Sequence, residues 1–154
     1  MLFVQTANAV LKYANSHFNR AAGISITKFT VLRILAANGG TMTPTEIAQR
    51  TLTERHNITT LVDRLEHDGL VKTRRNDRDR RSVNVTLTNK GRELLTQAIP
   101  TEREIANQTM SLVTEGDIAL MEKSLRLLRR NAHRGLEHVA NCSQPRSDQR
   151  KSTG

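Results

Sequence analysis

Six cations stand close together between Lys72 and Arg81: Lys72, Arg74, Arg75, Arg78, Arg80 and Arg81. Such side chains pair well with phosphate oxygens, lysine as a point charge and arginine through two parallel hydrogen bonds. The run continues into Val83-Asn84-Val85-Thr86-Leu87, where apolar and polar residues alternate. That period of two predicts a half-buried strand with Val83, Val85 and Leu87 facing inward. Val71 to Arg74 can pair with it, which makes the Arg- and Asp-rich segment between them an exposed hairpin tip. A tip this dense in arginine has the charge and shape to enter a groove of a polyanion.

Composition narrows the polyanion. The chain has 154 residues, a formal net charge of +9 and 36% hydrophobic residues, enough for one ordinary core and an acidic partner. Aromatic residues are only 3%, with no Trp, which disfavours single-strand binders that stack bases on rings. Duplex DNA, met by charge and polar side chains, fits better. The one cysteine, Cys142, excludes an intramolecular disulfide framework and a Cys-based zinc cluster. No apolar run approaches the roughly 18 residues of a membrane span, and the N-terminus lacks the basic start of a signal peptide. A cytoplasmic protein without cofactor or metal is the expectation.

The elements that must position the cations follow from periodicity and caps. Residues 2–20 predict a helix carrying Phe3, Ala7, Val10, Leu11, Ala14 and Phe18, broken by Gly23. Ser25 can cap a second helix with Phe29, Leu32, Leu35 and Ala36 on one face, ended by Gly39-Gly40. Thr43-Pro44-Thr45-Glu46 reads as a capping box with proline at the first helical position. It starts a short helix through about Arg50 that buries Ile47 and Ala48. After a break at Thr51-Leu52-Thr53, a helix over 54–68 carries Ile58, Leu61, Val62 and Leu65 at i, i+3, i+4 and i+7, closed by Gly69. Two helices across a tight break, followed by a basic hairpin, make a winged helix-turn-helix. Thr88 can then cap a long helix with Leu94, Leu95, Ala98 and Ile99, which Pro100 should kink. Thr114-Glu115-Gly116-Asp117 is another capped start, and Ile118, Met121, Leu125 and Leu128 follow near coiled-coil spacing. From Asn141 the chain loses apolar periodicity, and 141–154 is expected to be a disordered basic tail.

The run Ile58 to Leu70, ITTLVDRLEHDGL, followed by NDRDRRSVNVTLTNKG from Asn76 to Gly91, resembles the MarR family of transcriptional regulators. The order of these pieces is more specific than any one of them, and a looser similarity extends over residues 2–135. The resemblance implies a mainly α fold with a small β-hairpin: a winged helix-turn-helix domain (25–91) flanked by N- and C-terminal dimerisation helices (1–24 and 92–140). It further implies an obligate homodimer, with one recognition helix in a major groove and one wing in a flanking minor groove. Pseudo-palindromic operators and release by a small, often aromatic ligand belong to the same expectation.

On a helical wheel the apolar stripe of 54–68 leaves a polar far side, and the N-terminal part of a recognition helix is what reaches base edges. Arg55, His56, Asn57, Thr59 and Thr60 are therefore the candidates for base and nearby phosphate contacts, with Arg64 on phosphate. Asparagine suits adenine, arginine guanine, and a threonine methyl can sit against thymine. The bland alternative is that some of them only solvate an exposed face. His56 lacks a second ligand at i+3 or i+4, so no metal is expected there. In the wing, Asp79-Arg80-Arg81 matches the family's Asp-x-Arg. The resemblance assigns Arg81 to the minor groove and Asp79 to orienting it, although Asp79 also suits a hairpin turn. Arg74, Arg75, Arg78 and Arg80 are expected on phosphates.

For the dimer, the Phe3 and Val10 stripe and the Ile118, Met121, Leu125 and Leu128 seam are the candidates; packing within one chain is the alternative. The resemblance implies an effector cleft near Phe18, Phe29, Ile34 and the start of the recognition helix, though such residues are more often plain core. Cys142 falls too late to resemble the peroxide-sensing members, and His17, His133 and His138 lack the spacing of the zinc-sensing branch. The sequence thus points to a sequence-specific, ligand-responsive repressor, with a sequence-blind nucleoid-type DNA binder as the rival. Enzyme motifs such as a phosphate-binding glycine loop, a nucleophile elbow or HExxH are missing.

Overall fold

A computed structural model describes residues 1–51, 53, 55–75 and 83–142, with side chains through Leu136 in the last helix. The helices are α1 (Leu2–Ala22), α2 (Ile26–Ala37), α3 (Pro44–Thr51), α4 (Arg55–His67), α5 (Asn89–Met110) and α6 (Glu115–Cys142). The strands are β1 (Thr41–Met42), β2 (Val71–Arg75) and β3 (Val83–Leu87), forming an antiparallel sheet in the order β1-β3-β2. Two compact units result, Met1–Thr109 and Met110–Gly154.

Local chemistry sets the boundaries of the first unit. Gly23 ends α1 at a φ of 64°, a conformation that favours glycine, and its N–H bonds the Asn19 carbonyl. Ser25 caps α2 by accepting the Lys28 N–H at 3.3 Å. The Asn15 side chain of α1 accepts the Ile26 N–H at 3.1 Å, joining the two helices at the corner. Gly40, at a φ of 85°, turns the chain from α2 into β1. Its N–H bonds the Leu35 carbonyl, and its own carbonyl accepts the Leu87 N–H, both at 2.8 Å.

The capping box before α3 is complete. Thr43 N–H donates to Glu46 Oε2 at 2.7 Å, and the Glu46 N–H returns to Thr43 Oγ1 at 3.2 Å. The Thr43 N–H, then its hydroxyl and the nearby Arg50 charge, hold the Glu46 carboxyl below the usual glutamate range against a small burial cost. A depressed folded pKa means this contribution is whole above the unfolded value, about 4.3, and is lost as pH falls through the lower folded one. Glu46→Gln should therefore shrink the fall in unfolding midpoint below about pH 5. Identical acid profiles for the two proteins would show that ionisation of the box contributes nothing.

Ala14 and Phe18 of α1, Phe29, Val31, Leu32 and Leu35 of α2, Ile47 of α3, Ile58, Val62 and Leu65 of α4, Val71, Val85 and Leu87 of the sheet, and Leu95, Ala98 and Ile105 of α5 share one core. The Phe18 and Phe29 rings pack 4.4 Å apart at 31°. Both rings are buried in this core, and Ile34 packs half-buried against it. Each fully buried Leu, Ile or Phe contributes roughly 1.5–3 kcal/mol by leaving water.

Two expectations need correction, and the structure adds one strand. Val83 has the inward parity but is 37% exposed, because it pairs with Arg75 at the outer end of the hairpin. Helix α5 runs through Pro100, from Asn89 to Met110. Pro100 and the i−4 residue Thr96 are both exposed, so water can serve the carbonyl that loses its donor. Strand β1 carries no alternation and was not expected; it exists only through pairing, Thr41 with Thr86 and Met42 with Val85. Finally, α6 extends to Cys142, two residues into the expected tail, the rest of which lies outside the described residues.

In the second unit, Thr114 caps α6, accepting the Asp117 N–H at 3.2 Å and donating to its carboxylate at 2.6 Å. Along this helix Leu120, Met121, Leu125, Leu127, Leu128 and Leu136 are exposed. Among the described residues no helix is long and apolar enough to cross a membrane.

Candidate nucleic-acid interface

The helix-turn-helix is formed by α3 and α4, with the Thr53 N–H bonding the Ala48 carbonyl at 3.1 Å in the turn. Ile58, Val62 and Leu65 anchor α4 in the core, and Leu61 is half-buried. Burial of that stripe fixes the rotation of the helix, so Arg55, His56, Asn57, Thr59, Thr60 and Arg64 all lie exposed. The Thr59 and Thr60 hydroxyls donate to the Arg55 and His56 carbonyls at 3.1 and 3.2 Å. Each keeps its methyl and an oxygen lone pair for an incoming partner, but its proton is committed.

Strands β2 and β3 form the stem of the wing, in register Val71 with Leu87, Thr73 with Val85, and Arg75 with Val83. Side chains alternate across a strand. Arg75 therefore shares a face with Thr73 and buried Val71, whereas Lys72 and Arg74 share the opposite face with Thr86 and Asn84. The sequence treats Arg74 and Arg75 as equivalent; the sheet separates them. Lys72, Arg74 and Thr86 of that face, with Leu87, Thr88 and Asn89 at the strand's end, line an open depression of about 370 Å³. Arg78, Asp79, Arg80 and Arg81 lie outside the described residues.

Two features that position this surface escaped the sequence reading. Glu66, in the last turn of α4, accepts the Thr73 N–H at 2.6 Å and the Thr73 hydroxyl at 2.8 Å, tying α4 to β2. Asp68, just beyond α4, accepts Lys28 Nζ of α2 at 2.5 Å, while its carbonyl accepts Lys90 Nζ of α5 at 2.7 Å. A charged residue at the end of a polar helix face looks like any solvated position until the fold brings its partner alongside. Among the described residues no group of three His, Cys, Asp or Glu side chains could hold a metal ion.

Comparison with known proteins agrees with this arrangement. Residues 22–82 match the model of the MarR family. The chain is 33% identical over 91 residues to the HTH-type transcriptional repressor YetL of Bacillus subtilis, covering 58% of this chain and 54% of the relative. It is 30% identical over 110 residues to the transcriptional repressor MprA of Escherichia coli, covering 71% and 62%. The chain thus spans between half and two thirds of the length of these relatives. Among solved structures, BldR from Sulfolobus solfataricus superposes with a TM-score of 0.73 at 29% identity, over 84% of this chain and 91% of that one. The organohalide-sensing RdhR transcriptional regulator, in its ligand-free form, gives 0.76 at 26% over 84% and 76%. With the interlocking motifs, the family match and the fold in agreement, the chain belongs to the MarR family of transcriptional regulators.

Proposed function

We propose that this protein is a sequence-specific transcriptional regulator of duplex DNA, working as a homodimer on a pseudo-palindromic operator. The observation that carries the reading is the exposed face of α4, with Arg55, His56, Asn57, Thr59, Thr60 and Arg64 presented beside a basic hairpin. One such helix per protomer, one turn of DNA apart, matches the spacing of major-groove half-sites. Arg78, Arg80 and Arg81 extend the hairpin's charge, with Arg81 in the minor groove and Asp79 orienting it. Residues 1–24 and 92–140 supply the dimer contacts. Phe3 and Val10, both exposed, and the Ile118–Leu128 seam favour a second copy over packing within one chain. Repression is favoured by relatives named as repressors, and a small-molecule effector by the organohalide-sensing neighbour.

The experiment is binding to duplexes tiling the DNA upstream of the protein's own gene, against unrelated duplexes, near 150 mM salt. One tile bound a thousandfold or more above the rest is the expected result. Uniform weak binding there and in selection from random sequence would favour the nucleoid-type alternative, which the net charge of +9 also serves. Arg74→Ala and Arg75→Ala should each lower affinity evenly across sequences and reduce the salt slope by about 1. A loss confined to one sequence would move either residue from phosphate to base recognition.

A further inference from the structure

We propose that Glu66 is a positioning residue for duplex binding, setting the angle of the wing against the recognition helix by capping β2 at Thr73. The inference rests on the DNA-binding reading above. Strand β2 lies at the edge of the sheet, paired with β3 on one side only. The Thr73 N–H points away from β3 and donates to Glu66 Oε1 at 2.6 Å, and the Thr73 hydroxyl reaches both carboxylate oxygens at 2.8 Å. Hydrogen bonds to an ionised acceptor are stronger than neutral ones, and two donors from one residue fix direction as well as distance. Thr73 immediately precedes Arg74 and Arg75, where the strand leaves the core: Val71 is buried and Arg75 exposed. Among the described residues at this outer end of the hairpin, Arg74 and Arg75 are exposed and Val83, opposite Arg75, is 37% exposed. The carboxylate is therefore the fixed point between the helix that reads the major groove and the strand that carries the cations.

Charge makes the inference decidable. An exposed acid beside a surface built for a polyanion repels it, so removing Glu66 for electrostatic reasons alone would tighten DNA binding. Removing a positioning group does the reverse, because the wing must then be ordered at the moment of binding. Geometry and charge separate cleanly in three variants. Glu66→Gln drops the charge but keeps an oxygen at the same reach for the Thr73 N–H. Glu66→Asp keeps the charge but is one methylene short. Glu66→Ala loses both.

The experiment measures affinity for the selected operator duplex, footprints on it, and Thr73 amide hydrogen exchange in the free protein. Glu66→Ala and Glu66→Asp should each weaken operator binding tenfold or more and lose minor-groove protection at the flanks. Major-groove protection at the half-site centres should remain, and Glu66→Gln should stay within threefold of wild type. Thr73 amide exchange should quicken in the Ala and Asp variants and stay slow in Gln. Tighter binding by both Ala and Gln would overturn the proposal and leave Glu66 an ordinary surface acid. So would unchanged Thr73 exchange in every variant, or equal loss of both kinds of protection. Should wild type show no preferred duplex, the premise fails and the proposal with it, and the exchange data identify that failure as distinct from absence of the clamp.

Discussion

Replacing Gly91 with alanine should destabilise the protein by about 3 kcal/mol, although alanine is the better helix former. Gly91 is buried in the first turn of α5, and its N–H donates to the capping Thr88 hydroxyl at 3.0 Å. An added Cβ would stand 2.2 Å from the Leu70 carbonyl oxygen and 2.8 Å from Leu87 Cδ1. The first contact is with backbone, so no flexible side chain can swing aside. Relief requires α5 to move off the turn before β2, and that motion breaks the bonds from Thr88 Oγ1 to the Gly69 and Leu70 carbonyls at 2.8 and 3.0 Å. Helix propensity returns at most about 1 kcal/mol, so the clash wins. Gly135→Ala is the matched control: its Cβ meets nothing within 4 Å, and only the propensity gain remains. Urea unfolding of both variants decides the matter, and a raised midpoint for Gly91→Ala would refute the packing argument.

The double substitution Leu125→Glu with Leu128→Glu should convert a dimer into a monomer and weaken operator binding at least a hundredfold. Leu125 and Leu128 are 42% and 55% exposed, and Met121 stands one turn earlier at 37%. With Ile118 they lie on one stripe of α6, a contiguous apolar surface that a soluble chain ordinarily covers. Charges there leave no buried group unpaired within the chain, so helix content should hold while association fails. The magnitude comes from linkage: joined half-sites gain 10² to 10⁴ in avidity over separate ones, about 2.7 kcal/mol or more. Sedimentation at micromolar concentration is the first readout and operator affinity the second. A dimer that survives both charges would place the interface elsewhere and leave this stripe without its assigned role.

The order of elements was readable in the chain because its signals are local. Thr43 and Glu46 lie three residues apart and form the capping box from either direction of argument. The four apolar residues of α4 share one stripe, which fixes the outward side on which Arg55, His56, Asn57, Thr59, Thr60 and Arg64 must lie. The resemblance to the family followed from the same stretch, including Gly91, though not the reason for that glycine. Val83 was misplaced because parity tells which face a residue shares, not how far the core extends beneath it.

Contacts between residues distant in the chain had no such signal. Strand β1 is two residues whose conformation is imposed by pairing with β3, more than forty positions away. Glu66 and Thr73 sit seven apart across a turn, and neither residue type nor spacing announces a hydrogen bond between a helix end and a sheet edge. Lys72, Arg74 and Arg75 read as one cationic cluster until the register places them on opposite faces. The sequence by itself determined where helices begin, which side of each is apolar, and that a dense positive charge ends the domain. Tertiary structure alone decided how that charge is divided and held, because strand pairing and close backbone approach depend on geometry between segments that no local period encodes.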